Sequence, residues 1–420
     1  MQLGTALNYI RAVESAGTLR QTAPRLRWYV CGLLFFATTI NYVDRQVLGL
    51  LSPVLEKEFH WREADYGWIV FAFQLAYALM MPLAGRLIDW VGTRLGYAVA
   101  VTVWSAAAMS HALARSALGF GAARFALGLS ESANFPAAIR TVADWFPQRE
   151  RALANGIFNS GANVGAVVAP LTVPFIALHF GWRAAFVATG AGGLTWVLLW
   201  WWFMRGPRQG QSPAATAEPT PHLSGLLTTR ATWAFILGKF LTDPAWWFYL
   251  FWLPKFLHRV YGLDLSHLGL PIVVVYQLSA IGSIGGGWIP SALVKRGWPP
   301  NRARGTALLI CALTVTAVVF VGTSHLNMWM AVLLLGVATA SHQGFSANLY
   351  TLPSDLFPSN AVASVVGIGG FAGAVGGMLI APAVGYWLDW SHGAYAPLFV
   401  IAGSVYLVAF AVIHWLVSGD

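Results

Sequence analysis

Stretches of about twenty mainly apolar residues recur from one end of this chain to the other, and about twenty is the length a helix needs to cross a hydrocarbon core. Trp28 to Leu51, Trp68 to Ile88, Tyr97 to Ala114, Gly181 to Met204, Ala307 to Gly322 and Leu398 to Val417 are examples. In lipid every backbone polar group must be satisfied within the spanning segment, so these stretches are predicted to be helices. About twelve can be traced, which predicts an all-α membrane protein. Composition agrees: 57% of residues are apolar and 10% charged, against roughly 25% charged in soluble domains. Residues 1–27 are polar and basic and lack the short apolar core of a secretory signal. They are expected to form a cytoplasmic segment, with the first span serving as its own insertion signal.

The net charge of +9 raises the question of a nucleic-acid partner, and its distribution answers against one. With the N-terminus inside and twelve spans, about fifteen Lys and Arg fall in inside segments and six outside (Lys57, Arg62, Arg115, Arg183, Lys255, Arg259). That is the positive-inside bias, and it predicts both termini in the cytoplasm. Cys31 and Cys311 both lie in apolar spans, where thiols act as small hydrophobes.

The chain divides once. Gly206 to Ser224 is rich in Pro, Ala, Ser and Thr and reads as a cytoplasmic linker over 205–229. Six spans are expected on each side, in an N-terminal half over 28–204 and a C-terminal half over 230–420. The halves echo one another: Asp144-Trp145-Phe146-Pro147 and the small-residue run to Pro170 recur, about 211 residues on, as Asp355-Leu356-Phe357-Pro358 and the run to Pro382. Gly85-Arg86-Leu87-Ile88 is likewise echoed by Gly287-Trp288-Ile289-Pro290. Repeated halves imply a solute site near the bilayer midplane, alternately open to each side.

Four charges sit inside apolar stretches: Asp44 and Arg45 in the first, Arg124 and Glu131 in the fourth. Each costs about 2.5 to 3.5 kcal/mol at bilayer depth, so a balanced set of four marks a site for a charged solute or ion. Asp44 and Arg45 are neighbours and cannot face one another, whereas Arg124 and Glu131 share a helix face about 10 Å apart. Each is expected to find its partner across helices, Asp44 with Arg124 and Arg45 near Glu131. Protonating one acid leaves the site at +1, which suits a monovalent carboxylate, and an uncharged load can then reorient; two protons per anion is the alternative.

Gly85-Arg86-Leu87-Ile88-Asp89-Trp90-Val91-Gly92-Thr93-Arg94 resembles the loop motif between helices two and three of the major facilitator superfamily. Asp89 is expected to accept from a neighbouring helix's amides, with Gly85 and Gly92 permitting close approach and a tight turn, so that Gly85, Asp89, Gly92 and Arg94 form a conformational latch. Asn41-Tyr42-Val43-Asp44-Arg45, Arg124 to Glu131 and the Asp144 loop resemble the superfamily's anion:cation symporters. Phe240 to Pro254 and His342 to Asn348 look most like its bacterial hexuronate (glucuronate and galacturonate) transporters. The resemblance implies proton-coupling residues Asp44 and Glu131, with Arg124 orienting Glu131 and Arg45 gripping the substrate carboxylate through both oxygens.

Further candidates for the substrate are Tyr42 and Tyr77 as donors, and Asn159 with Asn163, read as a polar face lined by Gly161 and Gly165. In the second half they are Trp246, Trp247, Tyr249, Gln277, Gln343, Ser346 and Asn348, amides and aromatic plates suited to a sugar's hydroxyls and C–H face. Lys239 and Asp243, four apart, read as a local ion pair, and His342 as a hydrogen-bonded histidine at the position equivalent to Glu131. The glycines from Gly367 to Gly377 read as close helix contacts rather than a phosphate loop, because no Lys-Ser/Thr pair follows. No nucleophile elbow or metal-ligand spacing argues for an enzyme, and neither cofactor nor metal is expected. The resulting reading is a monomeric multi-pass protein of the bacterial inner membrane that imports a hexuronate with protons by alternating access. The alternatives are an organic-anion exchanger and a proton symporter of another sugar acid such as galactonate or glucarate.

Overall fold

The computed structural model describes residues 26–146, 148–204, 223–324, 326–357 and 359–417. Their regular structure is entirely helical. Before the linker stand α1 (Leu26–Phe59), α2 (Glu63–Val91), α3 (Thr93–Ser110), α4 (Ala117–Glu131), α5 (Asn134–Trp145), α6 (Gln148–Phe180) and α7 (Trp182–Phe203). After it stand α8 (Arg230–Tyr261), α9 (Gly269–Lys295), α10 (Pro300–Val315), α11 (Met328–Leu349), α12 (Ser359–Trp390) and α13 (Ala396–Val417). A short helix, Leu223–Leu227, occupies the end of the expected linker; the rest of the linker, and nearly all of the expected N-terminal segment, lie outside the described residues.

Eight helices among the described residues are long and apolar enough to cross a membrane. α1 and α8, at 34 and 32 residues, are longer than most of these; they fall short in apolar character because they carry Asp44-Arg45 and Lys239-Asp243. The fourth apolar stretch is two helices, since α4 stops at Glu131 and α5 starts at Asn134. Ser130, Ser132 and Asn134 stand at this break, and the side chains of Ser130 and Ser132 bond back to carbonyls of the preceding turn.

Large apolar side chains such as Trp90, Leu118, Leu198, Ile284 and Trp415 point outward. A surface of that kind suits lipid, and with lipid outside, helices gain little by hiding apolar groups from each other; close van der Waals approach holds them instead. Small residues make that approach possible. A Cβ on Gly161 or Gly165 of α6 would come within 2.4 Å and 2.5 Å of the Phe35 and Thr39 carbonyl oxygens of α1. On α9, a Cβ on Gly286 would fall 2.2 Å from Gly344 Cα of α11.

Three pairs of helices join the N-terminal set to the C-terminal set: α2 with α12, α6 with α9, and α1 with α8. At one end these contacts become polar. Lys255 Nζ of α8 pairs with Glu63 Oε2 at 2.5 Å and with Glu56, while Arg259 Nη1 reaches Glu63 Oε1 at 3.1 Å. Asp389 of α12 accepts the backbone N–H groups of Glu63 and Ala64, both at 2.9 Å, so one set caps a helix of the other. Tyr66 donates to the Phe251 carbonyl at 2.8 Å and Trp68 to the Tyr386 hydroxyl at 2.9 Å. Among the described residues, the side-chain hydrogen bonds and ion pairs seen to cross between the sets lie at this end.

Candidate functional site

The four charges of the first and fourth stretches converge where α1, α2 and α4 meet. All four side chains are buried: Asp44 is 3%, Arg45 2%, Arg124 1% and Glu131 0% exposed. The glycine that lets α4 approach is Gly128, whose missing Cβ would lie 2.3 Å from the Phe73 carbonyl of α2. One ion pair dominates, Arg45 Nε to Glu131 Oε2 at 2.8 Å. Arg124 donates through Nη2 to the carbonyl of Arg45 at 3.3 Å, not to the Asp44 carboxylate expected as its partner. Arg45 and Glu131 thus meet across helices as expected, and the correction concerns Arg124, which is on Glu131's own helix and turns toward the α1 backbone instead of pairing with Asp44 or holding Glu131.

Rings enclose the Arg45 guanidinium, whose carbon lies 4.8 Å from the Tyr77 centroid, 5.1 Å from that of Tyr42 and 5.4 Å from that of Phe73. Each such contact contributes about 0.5–2 kcal/mol. Phe73 also lies under Arg124, at 5.8 Å, and was missed in the sequence because an isolated phenylalanine in a span gives no signal. Several buried polar atoms here have no hydrogen-bond partner among the described residues: both Asp44 oxygens, Arg45 Nη2, Arg124 Nε and Nη1, Glu131 Oε1 and both amide atoms of Asn41. Protein interiors satisfy nearly all such groups. A cluster holding both donors and acceptors in excess suits a ligand that brings both, as a hydroxylated carboxylate does.

The remaining candidates separate. Asn159 is exposed and Asn163 half-buried, and the glycines expected to line their face do not, because two residues along a helix turn about 200°. Gly161 and Gly165 press on α1 instead. On α8, Trp247 stacks on Phe251 at 5.8 Å and Trp246 on His342 at 5.1 Å. His342 Nδ1 is bonded to the Tyr406 hydroxyl at 2.6 Å. Tyr249 is buried with its hydroxyl unpartnered, Gln277 is exposed, and Gln343 and Ser346 are half-buried. Asn348 is committed elsewhere: its Nδ2 donates to the carbonyls of Gly286 and Gly344, each at 2.8 Å, and ties α11 to α9. Both amide protons are thus spent within the protein, and the amide oxygen is what Asn348 keeps to offer a sugar hydroxyl.

Of the expected latch, Gly92 makes the tight turn between α2 and α3, with φ +86° and its N–H on the Ile88 carbonyl at 2.8 Å. Only glycine adopts that conformation freely. Gly85 has open space where a Cβ would stand, so close approach is not its role. Arg94, in the first turn of α3, packs against α7, its guanidinium 5.0 Å from the Trp201 ring and its carbonyl accepting from Trp200 at 2.9 Å. The Asp89 side chain lies outside the described residues.

A bundle of long helices in two sets, with a buried balanced charge cluster in one of them, is the form of a solute carrier. The model of the Major Facilitator Superfamily matches residues 34–380, and the chain belongs to that superfamily; it is a transporter, not an enzyme. It is 30% identical to the hexuronate transporter of Escherichia coli (strain K12), over 93% of this chain and 94% of that one. It is 32% identical to the galacturonate transporter of Dickeya chrysanthemi, over 64% and 83%, and 29% identical to the D-galactonate transporter of Escherichia coli O6:H1, over 94% and 96%. Among solved structures, a bacterial homolog of the human lysosomal transporter Spinster superposes with a TM-score of 0.73 at 21% identity, covering 94% of this chain and 96% of that one. A D-xylose-proton symporter gives the same score at 14% identity, over 92% and 97%.

Proposed function

We propose that this protein imports a hexuronate together with protons, by alternating access through two halves of six spans. The observation that carries the reading is the buried Arg45–Glu131 pair at 2.8 Å, ringed by Tyr42, Phe73 and Tyr77. An arginine engaged by a carboxylate cannot grip a substrate carboxylate with the same donors. A proton on Glu131 weakens the pair, and the arriving anion takes Glu131's place on Arg45. Proton and anion thus enter one site together, and with one of each the load is neutral and crosses without moving net charge. Asp44, the second acid of the cluster, is the further proton site, and Arg124 neutralises it when the proton leaves.

The substrate class comes from the relatives named for hexuronate and galacturonate transport. The D-galactonate transporter, similar over as much of the chain, supports an aldonate as second substrate. The distribution of arginines supports an inner-membrane orientation with both termini in the cytoplasm. The cross-set contacts at the Glu63 end then close the outer side.

The test is uptake of labelled glucuronate into proteoliposomes with and without an inward proton gradient, for the native chain and for Glu131→Gln. Gradient-driven accumulation that Glu131→Gln abolishes while glucuronate exchange persists supports symport with the proton on Glu131. Gradient-insensitive exchange by the native chain would replace symport with an antiporter, and no transport of glucuronate would withdraw the substrate.

A further inference from the structure

A second buried ion pair stands in the C-terminal set, where the reaction described above makes no use of it. Lys239 Nζ of α8 lies 2.7 Å from Asp243 Oδ2 and 4.4 Å from the centre of the Tyr350 ring. The Lys239 side chain is 5% and that of Asp243 16% exposed. A lysine this deep requires a partner, but a purely structural pair does not require the surroundings this one has. Asp243 packs on α12 of its own set, where a Cβ on Gly373 would fall 2.0 Å from its Oδ2, and one turn away on that helix Gly370 has Met81 of α2 across the seam. Tyr350, whose ring meets the Lys239 ammonium, is 44% exposed. α1 and α8 pack on one another and are pinned at one end by Glu56 and Lys255; counted inward from that pin, Arg45 is eleven residues along α1 and Asp243 twelve along α8, so at about 1.5 Å per residue the anchor and the pair stand at about the same depth.

We propose that Lys239 and Asp243 form a specificity-determining subsite that reads the end of the substrate remote from its carboxylate and excludes a second carboxylate there. An ammonium has three donors. Asp243 takes one and neutralises the charge, so the pair offers an uncharged oxygen a donor without offering net positive charge. A hemiacetal or primary alcohol fits. A dicarboxylic sugar acid anchored at Arg45 would instead bring its far carboxylate against Asp243, and like charges in such a setting repel strongly. The inference deepens the function proposed above and rests on Arg45 as the carboxylate anchor.

The test compares monocarboxylates (glucuronate, galacturonate, galactonate) with dicarboxylates (glucarate, galactarate), by ligand-induced thermal shift of the purified protein and by competition with labelled uptake. The native chain is expected to favour the monocarboxylates by about tenfold or more, a gap that Asp243→Asn narrows by about tenfold by leaving Lys239 unneutralised. Lys239→Gln widens it, and the double variant, neutral again, returns to within about threefold of the native ratio. If Asp243→Asn does not fold, Lys239→Gln and the double variant still give distinct expectations, a wider ratio against a near-native one. Equal binding of both classes by the native chain overturns the proposal. So do variants that lose thermal stability at an unchanged ratio, since that is the behaviour of a merely structural pair. Binding of galactonate but not of either hexuronate would sink the hexuronate reading alone, because the ratio of mono- to dicarboxylate is still measured.

Discussion

Replacing Lys255 by methionine tests whether the Glu63 end is a gate. Methionine keeps the apolar stem of a side chain that is 2% exposed and removes only its charge. Glu63, 8% exposed, and Glu56, 23% exposed, then share a buried setting with no ammonium between them. Removing one member of a fully buried pair costs about 3 to 5 kcal/mol. Here Arg259, itself 40% exposed, still touches Glu63 at 3.1 Å, and Glu56 reaches solvent, so the loss discounts to about 2 kcal/mol. If these contacts exist only when this end is shut, the balance between shut and open forms moves about thirtyfold, and a protein 99 parts shut to 1 open becomes about 99 to 30. Spin labels at Lys57 and His258, both exposed and on opposite sides of the seam, read that change as a second, longer distance in electron double resonance, with Cys31 and Cys311 replaced by alanine. A variant distance distribution identical to the native one would falsify the gate.

Other changes test the helix contacts and the anchor separately. Gly165→Val sets a branched side chain where even a Cβ would meet Thr39 O at 2.5 Å and Tyr42 Cβ at 2.8 Å; a loss of about 1–3 kcal/mol in thermal unfolding and weaker binding through displaced Tyr42 are expected. Asn348→Ala strands the Gly286 carbonyl, which faces Pro290 and so has no helical N–H four residues on, and should lower stability by about 1–3 kcal/mol with substrate affinity unchanged, which a thermal-shift titration separates. Tyr77→Phe keeps the ring over Arg45 and should leave binding within about twofold, whereas Tyr77→Ala removes a contact of about 0.5–2 kcal/mol; equal loss in both would mean that the hydroxyl, not the ring, matters.

The helical class and the charged cluster were legible because both follow from cost. Twenty apolar residues have little alternative in lipid, and four charges within such stretches must find one another. What a single chain does not reveal is which helix faces which at close range. The Arg45–Glu131 pair follows from the rule that neighbours in sequence cannot face one another, whereas the destination of Arg124 does not: it reaches the carbonyl of Arg45 and not the Asp44 carboxylate. The same limit hid the Glu63 end. Lys255 and Arg259 read as topogenic charges in an outside loop, because their carboxylate partners lie nearly two hundred residues away. The two amide protons of Asn348 were hidden for a related reason: an amide in a span advertises polarity, and only the approach of Gly286 shows where they go.

Asp389 ties the folding of one helix to the position of another. The first amides of α2 have no carbonyl of their own to bond, and those of Glu63 and Ala64 rely on a carboxylate that belongs to α12. Any movement that parts the two sets at this end also removes that cap, leaving Asp65 on the Arg62 amide as the local hold on the first turn. Opening is then partly a fraying event, and deuterium uptake at the two amides becomes a clock for how often the gate parts. Substrate and pH should change that clock in step with transport, with no label attached to the protein.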